Sequence, residues 1–318
     1  MITTVTPNPS IDWTLEIPSL TRGAVHRIAA EHQEPSGKGV NVTRALTGNH
    51  VPSVAVLPVG GAQGAEMAAL LAIEQVSYRA VPVAGSIRVN ISLTEPDGTA
   101  TKINAGGPAL SAEETDRLLA AATDAAAGAA WVLGSGSLPA GMAASFYASL
   151  GEAARRRGAR FALDSSGPPL LAGIGARPDV IKPNAEELAQ AVGRPLATFG
   201  EAVAAARELR QLGAATVVVS LGSDGALLVD QEGVLHAEAF VASPRSTVGA
   251  GDALLAGYLA GDLMAAGKRA APLVEGVAWA SGALRLDGSR VPVITDDDRA
   301  AVVLDDAPDL GRRLRQPV

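Results

Sequence analysis

"EAVAAARELRQLGAATVVVSLG", residues 201–222, joins a helix-forming stretch, a glycine stop and an apolar β-branched run with almost no linker. Strong helix formers fill eleven of the first twelve positions. Gly213 then supplies the residue type that most easily closes a helix in the left-handed region. "ATVVVSLG" lacks the polar alternation of a half-exposed strand, so it reads as a strand covered on both faces.

The same alternation spreads outward. "ITTVT", "SVAVLPVG", "AAWVLG", "RFALD" and "DVIKP" read as further strands. "SAEETDRLLAAATDAAAGA", with a capping box from Ser111 to Glu114, and "AASFYASLGEAARRRG" read as helices that run into glycine. Strands alternating with helices predict an α/β fold with a doubly wound, mostly parallel sheet flanked by helices. Residues 11–33 and 86–104 break the pattern and read as strand pairs, the second turning at Asp97-Gly98. They predict a small antiparallel β lid on a single domain spanning residues 1–318.

Composition narrows the function classes. Of 318 residues 47% are hydrophobic and 19% charged, which fits a globular core rather than a disordered chain. With 26 basic against 33 acidic residues the net charge is -7, which gives no basic field for nucleic acid. The absence of cysteine excludes disulfides and thiolate chemistry, and it agrees with a reducing compartment. No leader pattern opens the sequence and no long apolar run follows, so the expectation is a cytoplasmic protein with no membrane partner. His26, His32, His50 and His236 form no zinc spacing and read as surface or lid residues.

The chemistry concentrates in "RSTVGAGDALLAGYLAG", residues 245–261. In an open α/β sheet, ligands bind beyond the carboxyl ends of strands, where helix N-termini offer unpaired N–H groups. Gly249 and Gly251 permit close approach of an anion to bare backbone. Asp252 would repel such an anion unless a proton or metal ion intervened, and a reacting hydroxyl supplies a proton. The plainer reading makes Asp252 the helix cap. A Walker A loop is excluded because Lys38 is followed by glycine, and the first strand leads into no G-x-G-x-x-G.

In order along the chain, "TVTPNPSID", "GKGVNVTRAL", "IRVNISL", "GSLPAG", "IKPNAEEL", "SLGSDGALLV" and "STVGAGDALLAG" resemble the motifs of the ribokinase-like PfkB carbohydrate kinases. Within that family they are similar to the 1-phosphofructokinase and tagatose-6-phosphate kinase branch. The resemblance implies an ATP-dependent kinase that uses Mg²⁺ and phosphorylates a ketohexose monophosphate. Fructose 1-phosphate comes first, fructose 6-phosphate or tagatose 6-phosphate next. A regulator that binds phosphosugar without catalysis is the alternative from another class.

By the resemblance, Asp252 is the base that takes the hydroxyl proton, with a low pKa sufficing for late proton transfer. The backbone of Gly249, Ala250 and Gly251 steadies the transferring phosphoryl group. Asn184 and Glu187 organise Mg²⁺ through water, Lys182 faces phosphate, and Ser220, Gly222 and Gly225 border the nucleotide. Asp12, Gly37, Lys38, Gly39, Asn41 and Asn90 serve the sugar, while Arg27, Arg88 and Ser137 hold the phosphate already present. The lid implies a homodimer. Ser36, Ser92 and Ala105 depart from the branch's usual residues, and all three lie toward the substrate or lid.

Overall fold

A computed structural model of the chain describes residues 1–265 and 267–315. In chain order its strands are β1 (Ile2–Val5), β2 (Ser10–Glu16), β3 (Ala30–Ser36), β4 (Ser53–Val59), β5 (Tyr78–Pro82), β6 (Arg88–Thr94) and β7 (Ala100–Asn104). There follow β8 (Trp131–Ser135), β9 (Arg160–Asp164), β10 (Val180–Ile181), β11 (Thr216–Ser220), β12 (Ala226–Asp230), β13 (Gly233–Glu238) and β14 (Val303–Asp305). Ten of them form one sheet in the order β14-β13-β12-β11-β10-β9-β8-β1-β4-β5. From β5 to β11 neighbours are parallel; β12, β13 and β14 add an antiparallel edge.

The opening stretch shows why the sheet has two covered faces. Val217 and Val219 point into one apolar layer with Phe199, Val203 and Leu209 of the helix Phe199–Leu212. Val218 points into the other, with Leu254, Leu255 and Trp279 of the helices Ala250–Met264 and Ala271–Ala283. These two helices pack so closely that a Cβ on Gly257 would come within 2.7 Å of Glu275 O and of the Trp279 ring. Gly213 ends its helix at φ 140°, and the Ser111–Glu114 capping box forms in both directions. Each such cap is worth about 1 kcal/mol.

The second sheet, in the order β3-β2-β6-β7, is the lid. Its outer pairs are antiparallel, as the strand patterns predict, but β2 and β6 pair in parallel, with Asp12 opposite Asn90. The lid is therefore mixed. Ser10, Asp12, Arg88 and Asn90 alternate with Ile11, Trp13, Val89 and Ile91, and Ile11 is buried in a cluster with Val40, Leu57 and Met67 of the main body.

His236 corrects the expectation that all four histidines lie on the surface or lid. It sits in β13 at 3% exposure, edge-on to Phe199, with Nε2 2.7 Å from Asp224 O. Among the described residues no helix is long and apolar enough to cross a membrane.

Candidate active site

At the carboxyl ends of the parallel strands, Gly249 takes the left-handed conformation (φ 75°) as N-cap of the helix Ala250–Met264. No side chain caps that helix, so the capping reading of Asp252 fails. Asp252 is buried, and its Oδ2 accepts a 2.8 Å hydrogen bond from Asn41 Nδ2. Burial, and then the charge of Asp164, push its pKa up to about 6 against the opposing pull of Lys38, Asn41 and Lys182. A low pKa suffices for late proton transfer, and burial moves that of Asp252 in the other direction.

Asp164, at the end of β9, is the residue that sequence reasoning missed. Its side chain is wholly buried between two lysines: Lys38 Nζ donates to Oδ1 at 3.0 Å, and Lys182 Nζ stands 3.4 Å from Oδ2. Burial alone would raise its pKa, yet the two cations hold it below the ordinary range. Lys38 also donates to Glu187 Oε1 at 3.1 Å, so it bridges two acids. Burial opposes its charge, but Asp164, Glu187 and Asp252 keep it protonated. A Cβ on Gly251 would lie 3.5 Å from Lys182 Nζ, which sets that cation beside the glycine loop.

Asn184 and Glu187 form a reciprocal capping box, with Glu187 N donating to Asn184 Oδ1 at 2.7 Å and Asn184 N to Glu187 Oε2 at 2.9 Å. Both Glu187 oxygens are thus engaged, and among the described residues no group of three or more His, Cys, Asp or Glu side chains could cage a metal. The donor set fits a hydrated Mg²⁺ carried mainly by phosphate and water, with Asp164 and Glu187 nearby, rather than a dedicated protein cage.

Toward the lid, Asp12 accepts from Ser10 Oγ (2.9 Å), Ser36 Oγ (2.8 Å) and Asn90 Nδ2 (2.9 Å). Ser36, a departure from the branch pattern, is thereby a direct partner of Asp12. Gly37 (φ 117°) and Gly39 lie so close to Thr6 that Cβ atoms there would come within 2.8 Å of its Cγ2 and 2.4 Å of its Oγ1. Arg88 donates to Ala105 O and Asn8 O, both at 3.1 Å. Asn8, also missed, donates to Ser137 Oγ and to Gly106 O. Its signal was its place beyond the first strand. Arg27 is exposed in the stretch between β2 and β3.

On the other side, Ser220 N donates to Pro183 O, and a single 3₁₀ turn, Gly222–Asp224, follows. Gly225 (φ 74°) passes so near β13 that a Cβ would come within 2.2 Å of Ala237 O. The buried Asp224 beneath this turn accepts from Arg312 Nη2 (2.9 Å) and Arg315 N (2.7 Å), so the C-terminal segment braces the loop.

Among the described residues, seven buried side-chain atoms lack a hydrogen-bond partner, and six of them lie here: Thr6 Oγ1, Asn8 Oδ1, Arg88 Nε, Asn90 Oδ1, Ser135 Oγ and Asp164 Oδ2, the last with only its ion-pair contact to Lys182; the seventh is Ser53 Oγ at the start of β4. Buried polar groups are nearly always paired, so this concentration marks a place built to meet a polar ligand.

Residues 8–289 match the pfkB family of carbohydrate kinases. The chain is 40% identical to the 1-phosphofructokinase of Rhodobacter capsulatus over 269 residues, 81% of this chain and 82% of that one. It is 36% identical to the ATP-dependent 6-phosphofructokinase isozyme 2 of Mycobacterium tuberculosis, over 82% of this chain and 77% of the other. The structure of phosphofructokinase-2 from Escherichia coli in complex with substrates and products superposes with a TM-score of 0.86 at 33% identity, covering 94% of this chain and 97% of that one. With the ribokinase-like fold and the glycine loop set before a buried acid, the chain belongs to the pfkB family of carbohydrate kinases.

Proposed function

We propose that the protein transfers the γ-phosphoryl group of ATP to the primary hydroxyl of a ketohexose monophosphate, with fructose 1-phosphate as first substrate and fructose 6-phosphate as second. The observation that carries this reading is a buried carboxylate, Asp252, directly after the glycine loop and under the influence of the Lys38 and Lys182 charges. Asp252 accepts the hydroxyl proton as the hydroxyl attacks. The Gly249–Gly251 backbone and Lys182 face the transferring group, a work of positioning and charge stabilisation. Mg²⁺, when bound with the nucleotide near Glu187 and Asp164, neutralises phosphate charge. Asp12, held by Ser10, Ser36 and Asn90, takes the sugar hydroxyls. A non-catalytic regulator is the alternative from another class, and it would release no ADP.

Coupled assay of ADP release against fructose 1-phosphate, fructose 6-phosphate, tagatose 6-phosphate, free fructose and ribose tests the reading. Relatives of similar identity carry both phosphofructokinase names, so the panel decides between them. If a free sugar outcompetes every phosphosugar, the assignment of the arginines is wrong.

Arg88 is the proposed anchor for the phosphate already present, since its Nε is buried without a partner while its other nitrogens are braced on backbone oxygens. Arg27 and Ser137 are the lesser contacts. Replacing Arg88 with alanine should cost about tenfold or more in kcat/KM for the phosphosugar and leave the KM for ATP little changed. An equal loss for both substrates would remove Arg88 from the sugar end.

We read residues 1–318 as one catalytic unit with the lid as its appendage. The lid's apolar positions, among them Trp13, Leu15, Ile91, Leu93 and the exposed Ile103, share one face and support pairing with a second copy. Light scattering at micromolar concentration should give a dimer, and a fully active monomer would refute it. The charged substrates favour the cytoplasm, where phosphorylated sugars are retained.

A further inference from the structure

Behind Asp252 a line of hydrogen bonds runs into the protein and ends on a guanidinium. Asn41 Nδ2 donates to Asp252 Oδ2 at 2.8 Å, Ser289 Oγ donates to Asn41 Oδ1 at 3.4 Å, and Arg44 Nη1 donates to Ser289 Oγ at 2.7 Å. Arg44 is itself fixed: its side chain is 5% exposed, it forks onto Glu74, and it donates to Pro35 O at 3.1 Å.

The line can run in one direction only. A guanidinium has donors and no acceptor, so Ser289 Oγ must accept from Arg44 and turn its own proton toward Asn41. Asn41 then accepts at Oδ1 and is left with its N–H for Asp252. The reversed amide would set an oxygen against a carboxylate. Ser289 also meets two other parts of the site. A Cβ on Gly249 would come within 2.8 Å of Ser289 Cβ, and Ser289 N donates to Glu34 Oε2 of the lid strand β3 at 3.3 Å.

We propose that Ser289 and Arg44 are positioning residues for phosphoryl transfer, fixing the Asn41 amide with its N–H toward Asp252 so that the carboxylate stays aligned with the attacking hydroxyl. This rests on the reading of Asp252 as the base. The charged groups that face Asp252 are Asp164 from β9, Lys38 from the helix Lys38–Gly48 and Lys182 beyond β10; none of them is bonded to Ser289. Loss of the Asn41 bond removes an influence that lowers the Asp252 pKa, so that pKa should move up.

The test is a cycle of Ser289→Ala, Asn41→Ala and the double variant, read as kcat and as kcat/KM against pH, with thermal melts of each. Ser289→Ala should lower kcat by about three- to tenfold, the loss of one hydrogen bond's alignment, and shift the acidic limb to higher pH. In the Asn41→Ala background it should have no further effect. Additive losses, or an unmoved limb, would overturn the inference, because a merely structural role predicts both. Should Ser289→Ala melt below the assay temperature, Ser289→Thr keeps the hydroxyl and must keep the wild-type limb; a shifted limb there overturns the inference equally. An active wild type with additive effects sinks this inference alone, whereas a wild type inactive on every sugar sinks the reading of Asp252 and this inference with it.

Discussion

Asp252→Asn should fold, bind ATP nearly normally and lose about 10²–10⁴-fold in kcat, the usual contribution of a positioned base. The fold survives because Asp252 does not cap its helix, and because an asparagine oxygen can still accept the hydrogen bond from Asn41. The anion loop of Gly249, Ala250 and Gly251 is backbone and stays in place. In the wild type, kcat/KM should fall on the acid side with a limb near the raised pKa of about 6, since protonated Asp252 cannot take up a further proton. Steady-state kinetics of the purified variant, beside nucleotide titration, make the measurement. Near-normal turnover would refute the assignment of the base.

The second large effect is on stability. Asp164→Asn removes the charge between Lys38 and Lys182, and Lys182, whose side chain is 4% exposed, has no other acidic partner within ion-pair distance among the described residues. Breaking one partner out of a buried pair costs ~3–5 kcal/mol, but Lys38 keeps Glu187 and the amide can still accept, so the lower end applies. A loss of about 3 kcal/mol corresponds to a melting temperature lower by roughly 5 °C or more at neutral pH. The dependence on pH has a definite sign. Because the folded-state pKa of Asp164 lies below its ordinary value, its stabilisation is complete above the unfolded pKa of about 3.9 and is lost as pH falls through the depressed value. The gap between wild type and variant should therefore hold steady above about pH 7, where Asp252, whose pKa Asp164 helps to raise, is ionised in both, and close fully only in acid. Coincident melts at neutral pH would show that the two lysines do not need Asp164.

What the sequence disclosed follows the physics of each element. Strands such as "ATVVVSLG" and "RFALD" were legible because burial on both faces removes polar residues from them, and Gly213 and the Ser111–Glu114 box were legible because caps are local. The parallel join of β2 to β6 was not, since a partner lying some eighty residues away leaves no mark on either strand. Asp164 was passed over because one acid closing an apolar run looks like any strand end; its position at the carboxyl edge of the sheet was the available signal. The raised pKa of Asp252 and the burial of His236 are products of packing, which spacing along a chain does not encode. Lys38 stands between the two kinds. Its motif was plain, but its side chain turns to Asp164 and Glu187, a direction only the assembled sheet defines.

The β2–β6 register also bears on the order in which the molecule comes together. Ser10 is joined to Arg88 across an intervening chain that carries β3, β4, β5 and two helices. A contact of this separation is entropically later than the lid's two shorter-range pairs, because the loop must be closed before the pairing rewards it. β3 reaches β2 as an ordinary hairpin-like pair, and β7 reaches β6 in the same way, but each pair alone is a two-stranded ribbon of marginal stability. The half of the crevice that holds Asp12, Asn90 and Arg88 thus exists only where the main body brings the two ribbons together.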